Sequence, residues 1–463
     1  MKADARPHLR VFGRDLSQSE ASALAAANRS AAAFPAWSLL GPTARRDRLF
    51  AAADLIERRE AEFGATMEAE TGATPGWVRF NVTLAAATLR EAASLTTQIS
   101  GSVIPSDRKG TTALAIRQPV GVVLGIAPWN APVVLAVRAV AAALACGNTV
   151  VLKASEICPR THGLVAEIFG EAGMGDGVVS LVTNPAEDAS AVVESLIGHP
   201  AIRRVNFTGS TRVGRLVAES AARHLKPALL ELGGKAPLLV LDDADLDEAV
   251  RAASFSAFMN QGQICMSTER MVVDEKIADA FAAGIARRAS SILAGPPKLS
   301  DRVLGGVVGA DAVERIDGLV KDAVAKGARI LAGGQINATY IDATVLDHVT
   351  PSMRIYSEEC FGPVAAIVRV HGDDEAIRVA NDTEYGLSSA VFSRDLQRAL
   401  RVARQIEAGM CHINGPTVHD EPQMPFGGMK ASGFGRFGGT GVIDQFTELR
   451  WITISTQPGD YPL

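Results

Sequence analysis

The sequence predicts an α/β protein with two doubly wound parallel-sheet domains and a small additional β element. Three observations support this fold class. Apolar strand-like segments alternate with helical segments from about residue 120 onward. A second series of the same kind begins after Lys235. The segment 446–455 has the composition of a strand but lies far from any partner in the sequence.

The first strand–helix series follows an alanine-rich region that we interpret as surface helices packed on a larger body, for example at 45–62 and 84–95. Two β-rich runs then occupy 112–126. The elements expected next are strand 148–153, helix 160–172, strand 178–183, helix 187–197, strand 204–207 and a helix from residue 211. Because a helix follows each strand, and strands recur roughly every 25 to 30 residues, the connections predict a parallel sheet with both faces covered.

The second series contains strand-like segments at 236–241, 270–273 and 364–370, which we interpret as a second α/β domain. Doubly wound sheets usually bind ligands at the carboxyl ends of their strands, so functional residues are expected there. The terminal strand at 446–455 is expected to extend a sheet edge, in its own subunit or in another one.

Composition excludes several classes of protein. Of the 463 residues, 46 are Lys or Arg and 51 are Asp or Glu, and a net charge of −5 gives no electrostatic footprint for nucleic acid or anionic membrane. The most apolar stretch, 133–146, is shorter than the roughly 20 residues of a spanning helix and contains Arg138. The N-terminal residues mix charges and offer no signal-peptide core.

The five cysteines, at 146, 158, 265, 360 and 411, form no CxxC pair and no metal-ligand spacing. We therefore expect no metal site, a reducing cytoplasm and at most one reactive thiol.

Two glycine motifs look like nucleotide-binding loops but lack the required context. The G-x-G-x-x-G run at 433–438 follows no apolar strand, and the glycines at 209–214 are not followed by the Lys and Ser/Thr of a P-loop. A different signal lies at 207–210, where a strand ends in a glycine turn and Ser210 begins a helix. Ser210 is either an ordinary N-cap or a phosphate contact at the positive end of the helix dipole.

Three polar positions allow a catalytic and a structural interpretation. Cys265 follows Asn-Gln-Gly-Gln at 260–263, whereas a buried, inert cysteine would usually have apolar neighbours. Glu231 precedes two glycines that permit close backbone approach to a ligand, so it is either a base or a linker charge. Asn130 ends a strand and is either an N-cap or an amide donor to an oxyanion.

Six motifs in one order resemble the aldehyde dehydrogenase superfamily. They are Pro-Trp-Asn ending at Asn130, Lys153 with Glu156, Phe-Thr-Gly-Ser at 207–210, Glu-Leu-Gly-Gly-Lys at 231–235, Gly-Gln-x-Cys ending at Cys265 and Glu-Cys-Phe-Gly-Pro at 359–363. The resemblance covers the chain from about residue 15 to its end. It implies an aldehyde dehydrogenase-like subunit that forms a homodimer or homotetramer.

The family has a three-part subunit, which maps onto this sequence as follows. The dinucleotide-binding domain would comprise 1–100 and 120–233, and the catalytic domain 234–445. The oligomerisation element would combine 101–119 with 446–463.

The resemblance also implies a mechanism. The Cys265 thiolate would attack the aldehyde carbon, and the resulting oxyanion would lie between the Asn130 side chain and the Cys265 backbone N–H. Transfer of hydride to the nicotinamide would leave a thioester, and Glu231 would activate the hydrolytic water. Because CoA-acylating relatives typically lack this glutamate, release of a free acid is expected.

For the cofactor, the resemblance implies that Lys153 and Glu156 hold the adenosine ribose and that Ser210 contacts the pyrophosphate. The remaining cofactor contacts would be Trp129, Gly233, Glu359 and Phe361. A carboxylate at 156 would accept a hydrogen bond from a ribose 2′-OH and repel a 2′-phosphate. NAD is therefore expected, although some family members with this glutamate also accept NADP.

Positions that line the substrate tunnel in the family indicate the class of aldehyde. Arg138 stands where many members carry an aromatic residue, and Ala131 and Met259 replace two bulky aromatic positions. Other tunnel positions are Ile264, His419 and Phe426. An arginine, a histidine and space for a ring suit a phenolic aldehyde, and the run 412–420 is similar to that of salicylaldehyde and vanillin dehydrogenases.

Other interpretations remain open from the sequence. Arg138 could pair with a carboxylate of the tunnel wall and touch no substrate, or it could bind the carboxylate of a semialdehyde. A semialdehyde or a broad range of aliphatic aldehydes is thus the alternative substrate. An inactive homologue that serves as a binding or structural protein is the alternative from another class, and the intact Cys265, Glu231 and Asn130 argue against it.

Overall fold

The computed structural model describes residues 10–11, 14–15, 17–296, 303–459 and 461. The helices are α1 (Gln18–Ser38), α2 (Pro42–Arg58), α3 (Glu60–Thr71), α4 (Pro75–Leu95), α5 (Pro132–Ala145), α6 (Pro159–Glu171), α7 (Ala189–Gly198), α8 (Thr211–Arg223), α9 (Leu246–Phe258), α10 (Glu275–Ser290), α11 (Ala310–Ala325), α12 (Arg354–Ser357), α13 (Gly372–Asn381), α14 (Leu396–Ala403) and α15 (Gly441–Phe446).

The strands are β1 (Arg10–Val11), β2 (Arg14–Asp15), β3 (Ser102–Ile104), β4 (Thr111–Pro119), β5 (Val122–Ile126), β6 (Thr149–Lys153), β7 (Val179–Val182), β8 (Ile202–Thr208), β9 (Ala228–Glu231), β10 (Ala236–Val240), β11 (Thr268–Asp274), β12 (Arg329–Ala332), β13 (Ile336–Asn337), β14 (Tyr340–Ile341), β15 (Thr344–Asp347), β16 (Val364–Val370), β17 (Ser388–Phe392), β18 (Met410–Ile413), β19 (Gly433–Phe434) and β20 (Thr447–Ser455).

The first large sheet has the strand order β19-β9-β8-β5-β6-β7. Its strands are parallel except β19, which pairs antiparallel with β9. The central strands β5 and β6 are continuous runs of buried residues, as expected for a parallel sheet covered on both faces. Alternate residues of β5 enter different clusters: Leu124 packs with α1, α7 and α8, and Val123 packs with α4 and α5.

The second large sheet has the order β12-β15-β16-β11-β10-β17-β18, with only β12 antiparallel to its neighbour. A third sheet of order β20-β4-β3 is antiparallel, and β20 pairs with β4 over nine residues from Thr447↔Pro119 to Ser455↔Thr111. Two parallel-sheet domains and a small β element therefore confirm the predicted fold class.

One detail differs from the sequence interpretation. The edge strand β19 at 433–434 falls inside the range expected for the catalytic domain but joins the first sheet. Helix α4 packs one face against α2 and α5, as expected for a helix at 84–95 that lies on a larger body. Among the described residues, every helix is too short or too polar to span a membrane.

Candidate active site

Cys265 lies at the end of a tight loop between α9 and β11 and is partly exposed. Asn260 and Gln261 in this loop have φ of 49° and 57°, a left-handed conformation that is uncommon for residues other than glycine. Gly262 also has a positive φ of 68°, and a Cβ there would lie 2.1 Å from the Gly362 carbonyl oxygen. The loop therefore depends on a glycine for its close packing against the 359–363 segment.

The amide side chains beside Cys265 hold this loop in place. Gln261 Nε2 donates to the Gly306 carbonyl at 3.2 Å, and the Gly305 N–H donates to Gln261 Oε1 at 3.0 Å. The Val308 N–H donates to Gln263 Oε1 at 2.9 Å. The amides that distinguish Cys265 from a typical core cysteine therefore serve as anchors, and they satisfy backbone groups that would otherwise be buried without partners.

Asn130 follows β5 and is nearly buried, and it lines the same cavity as Cys265. Its side-chain Nδ2 donates to the Gln263 backbone carbonyl at 3.0 Å, and its backbone carbonyl accepts a hydrogen bond from Trp77 Nε1 at 2.9 Å. A side-chain amide carries two N–H donors, so one remains available toward the cavity. Asn130 caps no helix, since the N-cap of α5 is Ala131. This geometry favours the amide-donor interpretation over the N-cap.

Glu231 is the last residue of β9 and is 1% exposed. Burial raises its pKa to about 7, and the Arg138 guanidinium and the Cys265 thiol partly oppose this rise. Its Oε1 accepts no hydrogen bond from the described residues. Burial, followed by the nearby Glu231, raises the pKa of the Cys265 thiol well above its usual range. A carboxylate with a pKa near neutrality beside a protonated thiol is suited to proton transfer.

The two glycines after Glu231 allow close packing within the protein. A Cβ on Gly234 would lie 2.4 Å from the Cys265 carbonyl oxygen, and one on Gly233 would lie 2.7 Å from the Glu359 carboxylate. We predicted backbone approach to a ligand from the sequence. The close partners in the structure are instead the cysteine loop and the Glu359 side chain, although Gly233 also lines the cavity.

A cavity of about 690 Å³ opens at the carboxyl ends of β5, β8 and β9 and reaches Cys265. Eight of the residues predicted to act in catalysis or cofactor binding line it: Trp129, Asn130, Ser210, Glu231, Gly233, Cys265, Glu359 and Phe361. Ser210 is the N-cap of α8, and its hydroxyl accepts a hydrogen bond from the Val213 N–H at 3.4 Å. Ser210 therefore acts as an N-cap, and it also lies in the wall of the cavity. The free N–H groups of a helix terminus of this kind favour an anion.

Lys153 and Glu156 lie at the carboxyl end of β6 and are hydrogen-bonded to each other. Asn184 Nδ2 also donates to Glu156 Oε1, at 3.1 Å. Burial favours the neutral carboxyl, but these donors outweigh it and lower the pKa of Glu156. Glu156 is therefore an anion, able to accept from a hydroxyl group and to repel a phosphate.

The Glu359–Phe361 segment is held by a buried pair that sequence reasoning missed. Lys235 Nζ donates to Glu269 Oε2 at 2.6 Å, and Glu269 also accepts from the N–H groups of Cys360 and Phe361. Phe361 has a φ of 47° and contacts Trp129 edge-on at 5.9 Å between ring centroids. Glu359 Oε1 accepts from the Gly234 N–H at 3.0 Å. Glu269 thus holds the segment that contains Glu359 and Phe361. It was not predicted because it belongs to none of the sequence motifs.

The predicted substrate residues divide into two groups. Ile264 and Phe426 belong to one apolar cluster, and Met259 and Cys265 pack against that cluster. His419 is 43% exposed, stacks on His412 at 4.8 Å and lies 2.8 Å from a Glu421 oxygen. An apolar wall therefore adjoins the cysteine, and the histidine is at the surface.

Arg138 is buried in α5 and forms an ion pair with Asp420, with 2.5 Å between Nη2 and Oδ2. Its guanidinium also lies over the rings of Phe426 and Phe437, at 4.5 and 5.7 Å from their centroids. Pairing with a wall carboxylate was one of the alternatives left open by the sequence. The partner, Asp420, was not identified because the two residues are 282 positions apart.

The fold and this cavity, which reaches Cys265, are those of an enzyme class that binds its ligand at the carboxyl ends of a parallel sheet. The profile of the aldehyde dehydrogenase family matches residues 10–452. The chain therefore belongs to the aldehyde dehydrogenase family, an enzyme family that uses NAD(P).

Several relatives are similar over nearly the full length. A vanillin dehydrogenase of Pseudomonas fluorescens is 58% identical over 454 residues, which are 98% of this chain and 93% of that protein. A salicylaldehyde dehydrogenase of Pseudomonas sp. strain C18 is 50% identical over 95% of this chain and 91% of its own length. The crystal structure of a salicylaldehyde dehydrogenase from Pseudomonas putida G7 complexed with salicylaldehyde has a TM-score of 0.94, 50% identity and coverage of 96% and 92%.

Proposed function

We propose that this enzyme oxidises an aromatic aldehyde of the hydroxybenzaldehyde type to the free carboxylic acid, with NAD as the cofactor. The observation that carries the proposal is the convergence of Cys265, Glu231 and Asn130 on one cavity next to an apolar wall. The similar proteins named for vanillin and salicylaldehyde support the aromatic substrate.

In this mechanism the Cys265 thiol releases its proton to solvent, and the thiolate attacks the aldehyde carbon. Glu231, with a pKa of about 7, lies beside the thiol and stays available for the later hydrolytic step. The oxyanion of the thiohemiacetal then accepts hydrogen bonds from the free N–H of the Asn130 amide and from the Cys265 backbone. Hydrogen bonds hold both the backbone carbonyl and the side-chain amide of Asn130, so its free N–H donor is preorganised.

When bound, NAD supplies the hydride acceptor for the oxidation step. Glu231 subsequently acts as the base that deprotonates the hydrolytic water, with Oε1 as its unused acceptor. The carboxylate next to the cysteine makes hydrolysis of the thioester, and thus a free acid, the expected outcome.

The cleft fits a dinucleotide. The N-terminus of α8 at Ser210 suits the pyrophosphate, and Glu359 with Phe361 and Trp129 suits the nicotinamide ribose and ring. Gly233 would allow the cofactor to approach the backbone. The Lys153–Glu156 pair would hold the adenosine ribose, and its anionic glutamate favours NAD over NADP.

For the substrate, we propose that Met259, Ile264 and Phe426 contact the aromatic ring, with Arg138 and His419 at more distant positions of the tunnel. Arg138 is already neutralised by Asp420, and this disfavours a semialdehyde carboxylate as its partner.

We also propose a homodimer or homotetramer in the cytoplasm. Trp451 and Leu449 on β20 are 76% and 61% exposed, which supports burial of this sheet against another subunit. All five cysteines are free thiols, as suits a reducing compartment.

The test is NADH formation by the purified protein with benzaldehyde, salicylaldehyde, vanillin, succinic semialdehyde and hexanal at matched concentrations. We expect kcat/KM to be at least about tenfold higher for the aromatic aldehydes, about 1.4 kcal/mol of discrimination. A preference for the semialdehyde or for hexanal would overturn the substrate class. No turnover with any aldehyde would favour the inactive homologue.

A further inference from the structure

Asp420 contains a buried oxygen that its ion pair does not use. Oδ2 accepts from Arg138 Nη2, and the Asp420 and Arg138 side chains are 5% and 7% exposed. Within the part of the chain that the structure describes, the second oxygen, Oδ1, is buried and has no hydrogen-bond partner. A buried carboxylate oxygen without a donor is costly and uncommon in folded proteins. Such an atom indicates a missing donor.

The position of Asp420 connects it with the reacting groups. Its loop also supplies Phe426, whose ring packs against Arg138, and Asp420, Arg138 and Phe426 line one small cavity. The Arg138 charge lowers the pKa values of Glu231 and Cys265, and the Asp420 charge raises that of Glu231. The ion pair is therefore close enough to the catalytic groups to share their electrostatic environment.

The charge balance of the pair restricts the ligand. Arg138 and Asp420 together carry no net charge, so a substrate carboxylate would find no unpaired cation there. It would instead meet the free oxygen of Asp420. A neutral phenolic hydroxyl carries one O–H donor, which matches a lone carboxylate acceptor. A donor on the substrate satisfies Oδ1, and an anion does not.

We propose that Asp420 Oδ1 accepts a hydrogen bond from a ring hydroxyl of the aldehyde, and that Asp420 selects hydroxylated benzaldehydes over benzaldehyde and over carboxylated aldehydes. The inference rests on the proposed function. Arg138 acts as a positioning residue, since its guanidinium holds the carboxylate and leaves Oδ1 free. Oδ1 attracts a ring hydroxyl and repels a substrate carboxylate, and both effects favour hydroxylated benzaldehydes.

The experiment compares the ratio of kcat/KM for 4-hydroxybenzaldehyde, salicylaldehyde and vanillin to that for benzaldehyde in the wild type and in Asp420→Asn. We expect the ratio for at least one of the hydroxylated aldehydes to fall at least about tenfold, because an amide in place of the carboxylate accepts a hydrogen bond more weakly. A general loss of activity cancels in the ratio. If the ratios stay within about twofold of wild type, Asp420 only holds Arg138 and the proposal is overturned.

Asp347→Asn is a matched control. Asp347 is also a 4% exposed carboxylate paired with an arginine, with 2.8 Å between its Oδ2 and Arg369 Nη2. It lies on β15 in the second large sheet, outside the cleft. This variant breaks an equivalent ion pair and is expected to keep the wild-type ratios. A fall in the ratios as large as that in Asp420→Asn would mean that loss of any buried ion pair changes the ratios, and the proposal would be overturned.

4-Carboxybenzaldehyde provides the opposite test. In Asp420→Asn the Arg138 cation has no anionic partner, and kcat/KM for this aldehyde relative to benzaldehyde is expected to rise at least about tenfold. If Asp420→Asn fails to fold, the double variant Arg138→Met, Asp420→Asn contains no lone buried charge. That variant should lose the preference for the hydroxyl without gaining one for the carboxylate, and retention of the hydroxyl preference would overturn the proposal.

The wild type distinguishes failure of this inference from failure of the proposed function. A wild-type preference for hexanal over benzaldehyde would overturn the aromatic substrate class itself. If benzaldehydes are preferred but the hydroxyl ratios do not depend on Asp420, only the role of Asp420 is overturned.

Discussion

Two ion pairs among the residues proposed to recognise cofactor and substrate differ in construction. Lys153 and Glu156 are three residues apart at the end of one strand, and Glu156 is 25% exposed. Arg138 and Asp420 are 282 residues apart, and both are almost fully buried. Charges in a low-dielectric environment act over longer distances than solvated ones. The local pair is therefore suited to cofactor recognition, and the buried pair also influences the chemistry.

The largest expected effect separates chemistry from cofactor binding. Cys265→Ala removes the nucleophile, so we expect aldehyde-dependent NADH formation to fall by about 10⁴-fold or more. NAD binding, measured by calorimetry, should persist because Lys153 and Glu156, the residues proposed to hold the adenosine ribose, are unchanged. Cys411→Ala alters a half-buried thiol on β18 and serves as the control. Activity that survives in Cys265→Ala would contradict the mechanism.

Glu231→Gln tests the proposed base, whose pKa the buried pair influences. We expect the steady-state rate to fall by about 10²- to 10⁴-fold because the water that hydrolyses the thioester loses its base. A rapid-mixing experiment should then show a burst of NADH, equal in amount to the active sites, before slow turnover. An equal loss of rate without a burst would mean that Glu231 is needed before hydride transfer rather than after it.

The pH dependence distinguishes the buried pair from the local one. Glu231 is a base only when deprotonated, so with a pKa of about 7 the hydrolytic rate should rise through pH 7 and be lost below it. Arg138 lowers this pKa and Asp420 raises it. Arg138→Met should therefore move the midpoint of the profile above pH 7, as measured by kcat against pH.

Lys153→Met is the comparison for that measurement. Lys153 is not among the groups that shift the pKa of Glu231, so this variant should raise the KM for NAD and keep the midpoint near pH 7. Equal shifts of the midpoint in both variants would remove the difference that we draw between the two ion pairs.

The two pairs also show which parts of the site a sequence reveals. Continuous apolar runs between helical segments predicted the strands β6, β8, β10 and β16 within a few residues, because central parallel strands are buried on both faces. Cys265, Glu231 and Asn130 belong to short local motifs and were found through them. Asp420 and Glu269 act on residues 282 and 91 positions away, and periodicity carries no information on such pairings. The edge strand β19 escaped for the same reason, since only two residues pair.

The smallest expected effect concerns the choice of cofactor at the local pair. In Glu156→Gln the repulsion of a 2′-phosphate disappears, and Lys153 loses its carboxylate partner and becomes available to a phosphate. The ratio of kcat/KM with NADP to that with NAD should rise about tenfold, a change of about 1.4 kcal/mol. Glu187→Gln, which neutralises an exposed carboxylate after β7, should leave the ratio near that of the wild type. If Glu156→Gln also leaves it there, the Lys153–Glu156 pair does not contact the ribose, and its proximity in sequence would reflect only the local structure at the end of β6.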